Sequence, residues 1–376
     1  MPAGQPGSTM DNGDTAHEWS SLPVVILAKV FGYLSLADVG PASQVCKHWF
    51  RMLGRASTWH RIEFDLFGGM AQERWQLRVV QDIVDRGIRS LTIVFVGENP
   101  LFYAGLEFCD ALYYFLAVDH SLRCTLESLN VSRMPVMFQD STFQPLATVH
   151  WRTLLFLDLQ NTQFICQVTP ACLYTVVEAC VELQDLRVSH FSMSDDVLML
   201  FNDPRRRRPL MHLSLFCRRQ EKYSDHDLSE QAWSAVAAHN KDLAVTLKFD
   251  FTCTLRKTRD ILKPNIPIWN LFLENHVTAY EIYYTAQFYA KTLRKLVVQC
   301  RYNEDVQDSL LAVAEACRQL QSLHVMCVLD QGAIDRIFEL LPQVRSSGNY
   351  TLKSDLEPAP WNTDEILDCL ILPSKR

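Results

Sequence analysis

Thiol and imidazole side chains are the groups in this sequence that could bind a metal or act as a nucleophile, since it contains twelve Cys and eleven His. Zinc sites favour paired Cys-x-x-Cys spacings, and the sequence contains no such pair. The densest metal-like group is Asp225-His226-Asp227, which lies in a polar stretch. A solvated loop accounts for that group better than a metal site does, so we predict neither a metal nor a cofactor.

A reactive thiol needs a neighbouring base, a cation or a helix N-terminus to lower its pKa. Cys180 and Cys317 instead fall on the apolar side of helical patterns, close to their C-terminal ends. Such cysteines pack as small apolar side chains. The sequence also lacks a P-loop, a glycine-rich dinucleotide motif, Gly-x-Ser-x-Gly and His-Glu-x-x-His. We therefore predict no catalytic residue.

Charge and hydropathy restrict the class of partner. The net charge of −7 argues against nucleic acid, which binds basic surfaces. Residues 1–20 lack the features of a secretory signal, and no run of about 18 apolar residues predicts a membrane-spanning helix. The run Arg205–Arg208 fits either a solvated loop or a patch for nuclear import or an acidic partner. We expect His190, His212 and His324 on the surface of a sheet.

Apolar residues near the N-terminus predict three short helices in succession. Pro23 marks the start of the first, because a proline in the first turn loses no helical hydrogen bond. A proline inside a helix costs about 3 kcal/mol. We therefore place the second N-cap at Asp38 rather than Ser35, which makes Pro41 the third helical residue. The apolar sets of the first and third helices are Ile26, Leu27, Val30, Phe31 and Leu34, and Val45, Cys46, Trp49, Phe50 and Leu53.

The phrase apolar-x-x-apolar-x-apolar recurs nine times after these helices. Between the phrases lie helical patterns, and VVEACVELQDLRV at 176–188 matches VAEACRQLQSLHV at 313–325 in eight of thirteen positions. A strand and a helix cannot bury their apolar faces alone, so the repeats predict a solenoid with a parallel concave sheet and outer helices. The second anchor of each phrase is Leu91, Leu129, Leu157, Leu186, Leu213, Leu247, Leu271, Leu296 or Leu323.

The N-terminal helices resemble the F-box over residues 18–62. The resemblance rests on Leu22-Pro23, Ile26-Leu27, Val30-Phe31, Tyr33-Leu34-Ser35, Asp38-Val39, Val45-Cys46-Lys47, Trp49 and Trp59. Val25 and Gly40-Pro41 depart from the family pattern. The resemblance implies a Skp-type adaptor as partner and, through it, a cullin scaffold. It implies adaptor contacts from Leu22, Pro23, Ile26, Leu27, Val30, Val45, Cys46 and Trp49.

The Cys-x-x-Leu-x-x-Leu-x-Val phrases at Cys180 and Cys317 resemble the cysteine-containing leucine-rich repeats of F-box proteins. The segments GENPLFYAG, EQAWSAVAAHNKDLAV, AQFYAKTLRKLVV and YTLKSDLEPAPW also resemble the F-box and leucine-rich-repeat family. The prediction is thus an α/β chain in four parts. These are a disordered N-terminus at 1–17, a three-helix F-box at 18–64, an irregular leucine-rich-repeat solenoid at 65–343, and a C-terminal cap and tail at 344–376.

The family resemblance implies a substrate-recognition subunit of a Skp–cullin–F-box ubiquitin ligase, in the cytoplasm or the nucleus. We predict that the repeats hold a protein substrate and that neither nucleic acid nor a membrane is a partner. Side chains that alternate with the anchors face the concave surface, which selects Arg187, Ser214 and His324 as substrate contacts. Two alternatives stay open: a repeat scaffold outside ubiquitin ligation, and a ligase that carries ubiquitin on its own thiol.

Overall fold

A computed structural model describes residues 22–34, 36–53, 61–64, 89–95, 106–117, 126–161, 167–203, 208–218 and 227–354. In these residues, eleven parallel strands form one sheet, and each strand lies beside the next one along the chain. The strands are β1 (Arg61–Phe64), β2 (Ser90–Phe95), β3 (Ser128–Arg133), β4 (Phe156–Asp158), β5 (Asp185–Ser189), β6 (His212–Cys217), β7 (Ala244–Phe249), β8 (Ile268–Val277), β9 (Lys295–Cys300), β10 (Ser322–Val328) and β11 (Tyr350–Lys353).

The helices lie before and between the strands. Connections between neighbouring parallel strands cross over with the same, right-handed sense. The connecting helices therefore lie on one face of the sheet and leave the opposite face open. This is the α/β solenoid that the repeats predict. The helices are α1 (Val24–Phe31), α2 (Leu36–Ser43), α3 (Lys47–Leu53), α4 (Leu106–Ala117), α5 (Asp140–Phe143), α6 (Pro170–Ala179), α7 (Asp195–Met199), α8 (Glu230–His239), α9 (Leu255–Ile261), α10 (Ala279–Phe288), α11 (Glu304–Ala316), α12 (Gln331–Leu340) and α13 (Pro342–Ser347).

The nine recurring phrases coincide with β2 to β10, and their anchors are buried against the helices. Most of the predicted anchors are neighbours in the sheet, but Leu213 pairs with Val245, whereas Leu247 pairs with Leu215. The predicted alignment is therefore displaced by two residues between β6 and β7. A displacement of two leaves every side chain on its original face, so the apolar pattern alone could not reveal it.

Local capping explains where the predicted helices begin and end. The Thr169 side chain accepts a hydrogen bond from the Cys172 amide at the start of α6, and Pro170 is the first helical residue. Cys180 and Cys317 directly follow α6 and α11, and both are fully buried. Burial raises the pKa of the Cys317 thiol to about 12. The predicted packing role of these two cysteines agrees with that environment.

The sheet extends beyond the predicted solenoid boundaries of 65 and 343. Strand β1 lies inside the segment predicted as F-box, and β11 lies inside the predicted C-terminal cap. The predicted disordered segment 1–17 and the tail after residue 354 lie outside the described residues. Within the described ranges, no helix is both long and apolar enough to cross a membrane.

Candidate functional site

The N-terminal helices share a small apolar core. Leu27 and Phe31 of α1 are buried together with Met52 and Leu53 of α3. The Phe31 and Trp49 rings meet edge to face, with centroids 5.0 Å apart and an interplanar angle of 71°. These contacts turn the Leu27 side of α1 inward and fix which residues of the helix remain outside.

The outer side of these helices carries many exposed apolar side chains. Ile26 and Val30 lie four residues apart on one face of α1 and are 47% and 42% exposed. An accumulation of exposed apolar groups marks a surface for another protein. Seven of the seventeen exposed large apolar residues in the described ranges fall here: Val24, Val25, Ile26, Val30, Tyr33, Val45 and Phe50.

The second helix begins earlier than the sequence predicts. It starts at Leu36, so the prediction that Asp38 is its N-cap is wrong; Asp38 lies in the first turn and Pro41 lies inside the helix. Pro41 has no amide hydrogen for the carbonyl of Ala37. The helix ends at Ser43, whose hydroxyl donates to the Gly40 carbonyl at 2.7 Å. Because the helix ends two residues after Pro41, the missing hydrogen bond affects only its last turn.

Two rows of in-register residues line the open face of the sheet. The first row is polar throughout, whereas the second mixes polar, cationic, aromatic and aliphatic side chains. The first row is Asp158, Arg187, Ser214, Thr246, Asn270, Lys295 and Ser322. The second row is Ser189, Phe216, Lys248, Phe272, Val297, His324 and Thr351.

Gln160 links the two rows by hydrogen bonds. Its Nε2 donates to the carbonyl and the hydroxyl of Ser214 at 2.9 and 3.0 Å, and its Oε1 accepts from Lys248 Nζ at 3.4 Å. The backbone N–H of Gln160 donates to Asp158 Oδ1 at 3.0 Å. Burial raises the pKa of Asp158 to about 6, against the opposing effects of that hydrogen bond, Arg187 and Lys248. Buried, satisfied polar groups of this kind hold the face rigid.

Cations flank aromatic rings on the same face. Lys248 Nζ and Lys295 Nζ lie 5.8 and 5.2 Å from the centre of the Phe272 ring. The Arg187 guanidinium lies 4.8 Å from the centre of the Phe156 ring and forms two 2.9 Å hydrogen bonds with its neighbour Asp185. Positive charges on this face are therefore held beside aromatic rings, of which Phe272 is buried and Phe156 is half-buried.

Glu274 gives this face a dependence on pH. Burial raises its carboxyl pKa to about 7, although Lys248 acts in the opposite direction. A raised folded-state pKa stabilises the fold below the unfolded value of about 4.3, and the contribution is lost as the pH rises through about 7. The Glu274→Gln variant cannot ionise at this position, so its free energy of unfolding is expected to fall by roughly 1–3 kcal/mol less than that of the wild type as the pH rises. Urea unfolding from pH 4 to 8 measures it, with exposed Glu315→Gln as the control.

Residues 19–65 match the family model described as F-box-like. The N-terminal unit is an F-box-like domain. Beyond it, the chain is similar to F-box/LRR-repeat protein 8 of Homo sapiens, with 26% identity over 92% of this chain and 98% of that protein. It is also similar to F-box/LRR-repeat protein 21 of Bos taurus, with 20% identity over 81% of this chain and 76% of that protein.

One solved structure that aligns with the chain is titled "Crystal structure of Rad7 and Elc1 complex in yeast". Its TM-score is 0.41 at 12% identity, covering 89% of this chain and 90% of that chain.

The residues predicted to contact an adaptor divide into two groups in the F-box-like domain. Pro23, Ile26, Val30 and Val45 are exposed, whereas Leu22, Cys46 and Trp49 are half-buried. Leu27 is fully buried. The prediction that Leu27 contacts the adaptor directly is therefore wrong, because its side chain packs inside the domain. Tyr33 and Phe50 are also exposed on this surface, but neither was among the residues predicted to contact the adaptor. Trp59 and Ser35 lie outside the described residues.

The predicted substrate contacts also divide by burial. All three lie on the predicted face of the sheet, but Arg187 remains partly exposed there, whereas the Ser214 and His324 side chains are buried. His324 lies between the Ser322 and Thr351 hydroxyls at 2.8 and 2.9 Å, and burial lowers its pKa to about 4. His324 belongs to the second row because of the two-residue displacement; Ser322 is the β10 member of the row of Arg187.

The other candidate groups are only partly described. Asp227 pairs with Lys263 Nζ at 2.7 Å, whereas Asp225 and His226 lie outside the described residues. Arg208 is exposed, with its Nε 3.5 Å from a carboxylate oxygen of Glu182, and the remainder of its basic run is likewise not described. His212 is exposed as predicted, but His190 is fully buried, so the prediction of a surface position is wrong for His190.

Proposed function

We propose that this chain is the substrate-recognition subunit of a Skp–cullin–F-box ubiquitin ligase, acting in the cytoplasm or the nucleus. The F-box-like domain binds a Skp-type adaptor, and the adaptor links the chain to the cullin. The open face of the solenoid holds a protein substrate. Ubiquitin transfer is carried out by the enzyme that the cullin recruits, so this chain contributes proximity rather than a reacting group.

The observation that carries the proposal is the concentration of exposed apolar residues on the F-box-like domain. Each large apolar side chain that becomes fully buried contributes roughly 1.5–3 kcal/mol. Several such side chains can therefore offset the cost of association. The similarity to F-box/LRR-repeat proteins over most of the chain supports the same role for the repeats.

Copurification tests the adaptor half of the proposal. The tagged full-length chain is expressed together with a Skp-type adaptor, and the proposal expects a stable complex of one copy of each on size exclusion. Adding the cullin and its ubiquitin-charged enzyme is expected to modify proteins captured from cell extract. A chain that is folded by circular dichroism but retains no adaptor would overturn the proposal, as would a ubiquitin thioester formed by this chain alone.

The substrate half is tested on the open face. Replacing Arg187 and Lys248 together with Ala is expected to reduce captured substrate at least tenfold, roughly the effect of two lost interface contacts, while adaptor binding is unchanged. Crosslinking mass spectrometry of the stalled ligase identifies the captured proteins. Lys291→Ala, an exposed change after α10, is the matched control and should capture normally. Equal capture by both variants would place the substrate elsewhere.

A further inference from the structure

Two thiols lie in contact at the end of the sheet. Cys300 Sγ and Cys327 Sγ are 3.3 Å apart. Each cysteine lies two residues beyond Val298 and Val325, which pair in register between β9 and β10. Because side chains alternate along a strand, both thiols leave the sheet on the same face as those two valines. Adjacent strands separate Cα atoms by a distance that a disulfide spans without backbone movement.

The two thiols are chemically unequal. Cys300 donates its S–H to Cys327 Sγ, which raises the pKa of Cys300 and lowers that of Cys327. Burial alone has the opposite effect at Cys317, whose thiol titrates only near 12. Thiolate is the form that reacts with oxidants. Of the two thiols, Cys327 is the one that we expect to react first, and Cys300 Sγ lies 3.3 Å from it.

The surrounding hydrogen bonds hold the two cysteines close together, and both cysteines keep a small exposed fraction. Gln307 Nε2 and the Tyr302 hydroxyl donate to Asp330 Oδ2 at 3.1 and 3.3 Å, and the Asp330 amide donates to Gln307 Oε1 at 3.1 Å. These bonds join the segments that follow the two cysteines. Cys300 and Cys327 are 5% and 7% exposed, whereas Cys317 is fully buried.

We propose that Cys300 and Cys327 are a reversible oxidation site that a hydroperoxide such as hydrogen peroxide converts to a disulfide. The Cys327 thiolate attacks one peroxide oxygen, the O–O bond breaks, and Cys327 sulfenic acid and hydroxide form. The Cys300 thiolate then attacks the sulfenic sulfur and displaces the second hydroxide. The two thiol protons convert both hydroxides to water, so two thiols and one peroxide give one disulfide and two waters. Closure shortens the sulfur separation from 3.3 Å to about 2.05 Å.

Peptide mass spectrometry of the purified full-length chain tests this site. The chain is exposed to hydrogen peroxide at pH 7.5, alkylated and digested with trypsin without reduction. The expected product links the peptides 296–301 and 319–336, which contain Cys300 and Cys327. Dithiothreitol should separate them. Cys327 is expected to oxidise at least about tenfold faster than Cys317, because its pKa is lower and it is more exposed.

Two Ser variants, whose fold is checked by circular dichroism, separate the roles of the thiols. In Cys300→Ser, Cys327 should accumulate as a sulfenic acid that dimedone traps; in Cys327→Ser, Cys300 should oxidise no faster than Cys317. Failure to link the two peptides, or equal oxidation of Cys317, would overturn the proposal. Adaptor binding does not enter this readout, so its result is independent of the proposed ligase function.

Discussion

Replacing Ile26 and Val30 together with Glu is expected to weaken binding of a Skp-type adaptor at least about 100-fold. Both side chains are exposed in the free chain and would be buried in the complex. Each contributes roughly 1.5–3 kcal/mol when buried, and a carboxylate in its place adds an unpaired charge to the interface. Isothermal titration of the purified full-length variant with the adaptor measures the change.

The controls distinguish lost contact from lost fold. The double variant should melt like the wild type, because neither side chain belongs to the buried core. Leu27→Ala removes a buried side chain and is expected to destabilise the F-box-like domain by about 2–5 kcal/mol. Phe251→Glu changes an exposed aromatic residue after β7 and should leave adaptor affinity unchanged. Unaltered affinity of the Ile26 and Val30 variant would exclude this face of α1 from the interface.

The strands were predictable where an apolar phrase repeats. The nine phrases specify β2 to β10 because buried anchors recur at the same face of each strand. Strand β1 lies in a segment that also fits the phrase, at Trp59, Ile62 and Phe64, but that segment was assigned to the F-box. Strand β11 coincides with the predicted C-terminal cap and carries no complete phrase. Each of these two strands completes an edge of a sheet that is defined only once its neighbours are placed. The register between β6 and β7 could not be read from the sequence either, since either pairing keeps the same face buried.

The candidate surfaces were predictable by helix or strand but not residue by residue. Apolar neighbours such as Ile26 and Leu27 look equivalent in the sequence, and the packing of α3 decides which one turns inward. Similarly, Arg187 and Ser214 occupy one row, yet the Gln160 side chain covers only the serine with hydrogen bonds. These outcomes depend on tertiary contacts that are distant in sequence, which periodicity does not encode.

A buried carboxylate in the layer of helices is expected to have the second large effect, which is on stability. Glu281, in the first turn of α10, is fully buried. Its Oε2 accepts hydrogen bonds from the amide and hydroxyl of Thr278 at 2.9 and 2.6 Å, and its Oε1 accepts from Arg259 Nε at 2.6 Å. The carboxylate thus closes a capping box and joins α9 to α10. Helix α10 in turn connects β8 and β9, which carry Phe272 and Lys295.

Glu281→Ala is expected to lower the free energy of unfolding by about 2–4 kcal/mol, because three charge-assisted hydrogen bonds are lost from a buried site. Urea unfolding measures it, with Glu304→Ala, an exposed change in the first turn of α11, as a control that should cost less than about 1 kcal/mol. A loss no larger than the control's would mean that water replaces these bonds at no cost.

The pH dependence of the Glu281 variants separates charge from packing. Burial acts to raise the pKa of Glu281, but the hydrogen bonds from Thr278 and Arg259 outweigh it and hold the pKa below its usual range. A depressed folded-state pKa stabilises the fold above the unfolded value of about 4.3, and the contribution is lost as the pH falls through the folded value. Glu281→Gln keeps the shape and lacks the charge, so its deficit relative to the wild type should shrink as the pH falls below about 4.3. A deficit that stays constant from pH 7 to 3 would assign the role of Glu281 to packing alone.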